Sequence, residues 1–230
     1  MTVREILNEV TRDFEAAGME TARLDAEVLL AFCLNCDRIE FIKNPETQIG
    51  KAQSTNFKKL VSRRLKWEPV AYITGHKEFW SFTLEVNKDV LIPRPDTEII
   101  VEETLNIGKE IYQPRILDIG TGSGAIALAL AHELPEAKIT ATDVSVAALK
   151  IAKKNARHLK LEKQIEFLKG DLFAPVKGLF DIIVSNPPYI SAAEYKELPQ
   201  GVKDFEPRLA LWAGQTGVEF YEKLIYQSKN

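Results

Sequence analysis

The chain has 230 residues, 45% of them apolar, and carries a net charge of −3. That length allows one large or two small domains around an ordinary globular core. The acidic balance, with no basic stripe, argues against a non-specific grip on a nucleic-acid backbone, and no apolar run is long enough for a membrane-spanning helix.

From the N-terminus, residues 1 to about 70 read as helices. Met1-Thr-Val-Arg-Glu is charged from the start and does not look like a signal peptide, so a cytoplasmic monomer is the expectation. Thr2 and Glu5 stand at capping-box spacing, and Ile6, Val10 and Phe14 recur every four residues up to Gly18. Leu24, Val28 and Phe32 mark a second helix; Phe57, Leu60, Val61 and Leu65 mark a third, closed by Pro69. The pairs Lys58-Lys59 and Arg63-Arg64 suit an acidic partner or, more ordinarily, a solvated helix face. Cys33 and Cys36 form a Cys-x-x-Cys, but no βαβ unit surrounds them and no second pair completes a zinc site. They are read as structural, no metal is expected, and His76, His132 and His158 show no ligand spacing.

Residues 71–98 change character. Phe82, Leu84 and Val86 alternate with polar residues, Asn87-Lys88-Asp89 offers a turn, and Val90-Leu-Ile resumes, which predicts a β-hairpin linker. From Arg115 on, strand and helix alternate, with strands near 115–119, 138–142, 165–168 and 180–185, a parallel α/β sheet. The domain plan is therefore 1–70 helical, 71–98 linker and 99–230 α/β.

The first strand of that sheet runs through Asp118 into Gly120-Thr121-Gly122-Ser123-Gly124 and an alanine-rich helix. Glycines let the backbone turn tightly and come close to a ligand. The next strand ends in Asp143, where nucleotide-binding α/β folds place the carboxylate that grips ribose hydroxyls. The Gly-x-Gly-x-Gly spacing is not that of a pyrophosphate binder, so S-adenosylmethionine (AdoMet) is favoured over a dinucleotide. Asp118 fixes the glycine turn and is also expected to help hold the cofactor's amino group. Gly120–Gly124, Asp143, Asp171 and Asn186 all fall at strand C-terminal ends, which predicts one crevice.

The strand Phe180–Ser185 breaks into Asn186-Pro187-Pro188-Tyr189. Proline has no N–H for a ladder, and it pushes the residue before it into an extended shape. The Asn186 side-chain carbonyl and the Pro187 main-chain carbonyl then face one small volume as acceptors, with the Tyr189 ring beside it. Two acceptors and an aromatic face suit a planar group carrying an NH2. Packing of the loop is the plainer use of Tyr189; substrate stacking is the expected one.

These motifs resemble class I AdoMet-dependent methyltransferases acting on planar NH2 groups. With Glu68-Pro-Val-Ala-Tyr-Ile-Thr-Gly75, Ile92-Pro-Arg94-Pro-Asp96-Thr97-Glu98 and Phe205-Glu206-Pro-Arg208-Leu-Ala-Leu211, nearly the whole chain is similar to the HemK/PrmC protein-(glutamine-N5) methyltransferases. The resemblance implies a Rossmann-like sheet behind a helical-bundle domain that recognises substrate. It implies AdoMet as cofactor, with Gly120–Gly124 against its methionine part, Asp143 on the ribose and Asp171-Leu172 near the adenine. It implies class-1 peptide-chain release factors as protein substrate, methylated on the glutamine of Gly-Gly-Gln, with no nucleic acid bound. Asn186 and Pro187 would orient the amide, and Arg94, Asp96 and Glu98 would line the substrate entrance or tie the hairpin down. Glu206 and Arg208 have the same two readings. Asn-Pro-Pro-Tyr is shared with adenine-N6 methyltransferases, which should carry a basic target-recognition region. Family members continue past Asn230 into further strands, so a truncated, non-catalytic remnant is the third reading, and the strand ending at Ser185 is expected to form an exposed edge.

Overall fold

The computed structural model describes residues 1–229 as two compact units, Met1–Thr74 and Gly75 onward. The first is helical: α1 (Val3–Ala16), α2 (Ala22–Leu34), α3 (Ile39–Lys43), α4 (Lys51–Arg64) and α5 (Val70–Thr74). The capping box forms, with the Glu5 N–H donating to the Thr2 hydroxyl and the Thr2 N–H donating to the Glu5 carboxylate. Ile6, Val10 and Phe14 turn inward against Leu29, Leu30 and Phe57, all of them buried. The third predicted helix, α4, stops at Arg64, short of Pro69. The arginine pair is used inside this unit and is not a free basic face. Arg63 binds the Glu68 carboxylate, and Arg64 binds Asp25 at 2.8 Å with both side chains largely buried. Lys58 and Lys59 are exposed. Cys33 donates its thiol to the Gln53 carbonyl, and burial pushes that thiol up from its usual range.

The second unit opens with the antiparallel pair β1 (His76–Phe79) and β2 (Phe82–Glu85). The hairpin therefore turns at Trp80-Ser81, not at Asn87–Asp89 as the alternation suggests, and 90–92 is not a strand. Trp80 takes a left-handed backbone (φ +56°), with its N–H donated to the Glu98 carboxylate at 2.7 Å. Asn87 caps the Asp89 N–H with its own side chain, and Pro93 and Pro95 cannot supply ladder donors. Then follow α6 (Thr97–Gly108), β3 (Arg115–Ile119), α7 (Ala125–Glu133), β4 (Lys138–Asp143), α8 (Val146–His158), β5 (Ile165–Lys169) and β6 (Ile182–Ser185). The chain continues through β7 (Ile190–Ser191), short helices α9 (Glu194–Glu197), α10 (Gln200–Phe205) and α11 (Arg208–Leu211), β8 (Trp212–Gly214) and α12 (Glu219–Gln227).

The four long strands form one parallel sheet in the order β5-β4-β3-β6. The chain moves outward from β3 to β4 to β5, then returns to the other side of β3. The order reverses between β3 and β6, the place where open α/β sheets bind ligands. Register brings Ile119 level with Thr142 and Ser185, so the strand ends open on one side. Side chains alternate across the sheet: Ile116 packs with α7, while Leu117 and Ile119 pack with Leu172 and with Phe220 and Leu224 of α12. β5 and β6 are the two edge strands of this sheet among the described residues, and Ile183 of β6 is 40% exposed.

Candidate active site

A cleft of about 880 Å³, open mouth included, lies over the strand ends. The glycine turn forms one wall. The N–H groups of Gly120 and Thr121 both donate to the Thr142 carbonyl at 2.9 Å, tying the turn to β4. Gly120 and Gly122 have φ of +75° and +57°, and a Cβ on either would meet nothing within 4 Å. Conformation requires glycine there, and the space above belongs to the cleft. Gly124, at φ +87°, needs glycine for its conformation and for packing as well, since an added Cβ would press on Leu128 and Ala152 at 3.1 and 3.3 Å.

Asp143 braces this wall. One carboxylate oxygen accepts the Gly122 N–H at 2.9 Å and the other accepts the Ser145 N–H at 2.8 Å. Each oxygen keeps further acceptor capacity for a ligand. Burial pushes its pKa up while the Ser145 and Gly122 donors pull it back. Asp118 is fully buried, and strand alternation turns it to the Ile116 side of the sheet, behind the cleft. Burial, with the Asp143 charge adding to it, raises its pKa to about 7. The Thr121 hydroxyl and the Ala127 N–H act against that rise, but among the described residues no hydrogen bond of ordinary geometry reaches either Asp118 oxygen. Buried hydroxyls of Thr121 and Thr142 are likewise unpartnered, so orphaned polar atoms gather under the glycine turn. On the far side, Gly170-Asp171-Leu172 lines the cleft with Leu172 held at φ +46°.

A second chamber, about 1100 Å³ with its opening, is lined by Arg94, Asp96, Thr97, Tyr189, Leu198 and Val202 among others. It shares Leu91, Asn186, Pro187 and Ala210 with the first. Asn186 donates from Nδ2 to the Thr97 hydroxyl at 2.9 Å. Among the described residues no donor reaches its Oδ1 or the Pro187 carbonyl. Two residues with unengaged acceptors thus stand at the junction of two chambers.

Of the residues the sequence points to, Gly120, Gly122, Asp143, Asp171, Leu172, Asn186, Pro187 and Pro188 line the first cleft. Tyr189 lines the second chamber alone, and Asp118, Thr121, Ser123 and Gly124 lie behind the wall. The alternatives for Arg94 merge: it lines the second chamber and also binds the buried Glu206, which takes the Ile92 N–H as well. Glu98 ties the hairpin through Trp80. Arg208 stacks on Tyr195 and Trp212. Sequence reasoning missed Asp89, Leu91, Ala210 and Phe220, because no motif marks a residue that a loop or a distant helix folds over a cleft.

Among the described residues the first cleft is lined by three carboxylates, Asp89, Asp143 and Asp171, and by no Lys, Arg or His. Such a lining disfavours a pyrophosphate and suits a ligand bearing a sulfonium and an ammonium. The open backbone at Gly120 and Gly122, where a side chain would intrude on the cleft, fits the close approach of AdoMet. Sheet order, glycine turn and cleft together define a class I AdoMet-dependent methyltransferase fold. A solved structure titled the hMettl16 catalytic domain in complex with a MAT2A 3′UTR hairpin shares it, at TM-score 0.51 and 23% identity over 64% of this chain and 56% of that one.

Family models match twice: a PrmC N-terminal domain over residues 5–75 and a methyltransferase small domain over 97–200. A release factor glutamine methyltransferase of Rhodopirellula baltica is 44% identical, covering 99% of this chain and 79% of its own. The protein of the same name from Koribacter versatilis is 41% identical over 99% and 81%. That from Shewanella oneidensis is 49% identical over 93% and 73%. The chain belongs to the release factor glutamine methyltransferases.

Proposed function

We propose that this protein transfers a methyl group from AdoMet to the side-chain amide nitrogen of the Gly-Gly-Gln glutamine of class-1 release factors. The observation that carries the proposal is the pair of unengaged acceptors, Asn186 Oδ1 and the Pro187 carbonyl, where the two chambers meet. Gly120, Gly122, Asp143, Asp171 and Leu172 would hold the cofactor, which supplies an electrophilic methyl group on sulfur. The glutamine would enter by the second chamber, beside Tyr189. An amide nitrogen is a weak nucleophile because its lone pair is shared with the carbonyl. Two acceptors on its N–H groups orient that nitrogen and stabilise the positive charge it gains as the bond forms. No side chain has to act as a strong base, since the methylated nitrogen becomes acidic and releases its proton to water. The reading takes a protein substrate over a nucleic acid, supported by the net charge of −3 and by relatives named for release factors.

The test is kinetic. Asn186→Ala should lower kcat about 10²-fold with AdoMet affinity little changed, because its carbonyl is worth most to a nitrogen gaining charge. Tyr189→Ala should raise KM for the release factor more than it lowers kcat, the mark of a stacking face present in both ground and transition states. Near-normal turnover by Asn186→Ala would remove the basis of the proposal.

A further inference from the structure

Asn186 is useful only one way round. With its carbonyl toward the junction it accepts from an incoming NH2; with its amide reversed it would present N–H groups to N–H groups. The side chain hangs at the end of a broken strand, so something has to hold it there. The one hydrogen bond its side chain makes among the described residues is Nδ2 to the Thr97 hydroxyl, 2.9 Å. Thr97 is 6% exposed and lines the second chamber.

We propose that Thr97 is a positioning residue for the reaction: its hydroxyl, accepting from Nδ2, holds the Asn186 side chain at the junction of the chambers and leaves its carbonyl unengaged for the incoming NH2. The inference rests on the role of Asn186 given above.

The structure also fixes Thr97. It begins α6, and its N–H donates to the Arg94 carbonyl at 3.0 Å across Pro95-Asp96, a turn with proline where turns favour it. Arg94 is bound to the Glu206 carboxylate, whose other oxygen takes the Ile92 N–H at 3.1 Å. Glu206 has a side chain only 1% exposed. The path therefore runs from a buried acid in the Phe-Glu-Pro-Arg segment, through the turn at Arg94–Thr97, to the atom that orients the substrate. Thr97 touches Asn186 and not the reacting nitrogen, so its effect should pass entirely through Asn186.

Thr97→Val keeps the shape and removes the hydroxyl. It should lower kcat about tenfold, the scale of one net hydrogen bond, with KM for the release factor and AdoMet affinity within about twofold. Thr97→Ser should restore most of kcat. The double variant Thr97→Val/Asn186→Ala should be no slower than Asn186→Ala alone. Thr97→Ala also lacks the hydroxyl and gives a second test if the valine form does not fold, with AdoMet binding reporting the fold of each protein. An unchanged kcat in Thr97→Val or Thr97→Ala overturns the proposal. So does a double variant slower than Asn186→Ala by the whole Thr97 factor, since Thr97 would then act independently. An Asn186→Ala protein with normal turnover would instead overturn the role of Asn186, so the two failures are distinguishable.

Discussion

At the scale of single residues, the place of Asn186 and Pro187 at the end of a strand was legible because proline has no N–H for a sheet ladder and restricts the residue before it. Asp118 was less so. A strand-end acid before a glycine turn reads as a ligand, but strand alternation buries it on the Ile116 side. Its raised pKa has a consequence for stability. The folded chain holds the Asp118 proton up to about pH 7, whereas the ordinary value is 3.8. Between those values the folded state binds more protons than the unfolded state, so this residue's contribution to stability falls as pH rises from about 4 to about 7 and is flat above. Asp118→Asn lacks that fall. Melting temperatures of the AdoMet-free proteins should show the variant gaining on the wild type across this window; parallel profiles would contradict the assignment.

At the scale of elements, periodicity located α1 by its buried face, and apolar runs located β3, β4 and β5. The Leu24, Val28 and Phe32 spacing found α2 from its outer side: Leu24 and Phe32 are each 46% exposed, and Ala22, Ala26, Leu29 and Leu30 form the buried face. Periodicity misplaced the hairpin, because the turn at Trp80 depends on Glu98, a partner 18 residues away. Two contacts between elements invite measurement. Asn155 of α8, 3% exposed, accepts the Glu85 N–H and donates to the carbonyls of Glu85 and Ser123, joining β2 to the glycine turn. Asn155→Ala should cost about 2–4 kcal/mol in denaturant unfolding, the scale for buried polar groups left unpaired, and should weaken AdoMet binding. Gly217, at φ +90°, backs on to the Asn-Pro-Pro-Tyr segment, where an added Cβ would lie 2.7 Å from the Tyr189 carbonyl oxygen. Gly217→Ala should destabilise by about 1–3 kcal/mol and raise KM for the release factor, with a smaller effect on AdoMet affinity. Unchanged KM in a folded Gly217→Ala protein would show that the segment does not depend on this contact.

At the scale of the whole molecule, each unit has its own core, and the chambers and orphaned atoms of the site lie in the second. A protein lacking Met1–Thr74 should therefore still bind AdoMet, by calorimetry, yet fail to modify the intact release factor. Equal modification by the shortened protein would assign partner recognition elsewhere. The change of periodicity near residue 70 lies close to the boundary after Thr74, while the stretch 71–98, expected as a linker, falls largely within the second unit. The second chamber was not, because Arg94, Thr97, Tyr189 and Val202 converge only once the segments after β2 and β6 have folded over the strand ends. The central claim is that this junction methylates a glutamine amide of a protein. Transfer of labelled methyl from AdoMet to a class-1 release factor, beside the same factor with its Gly-Gly-Gln glutamine changed to alanine and beside duplex DNA, tests it most directly. The account predicts label in the intact factor alone; label in the DNA or in the glutamine-less factor, or none in the intact factor, would contradict it.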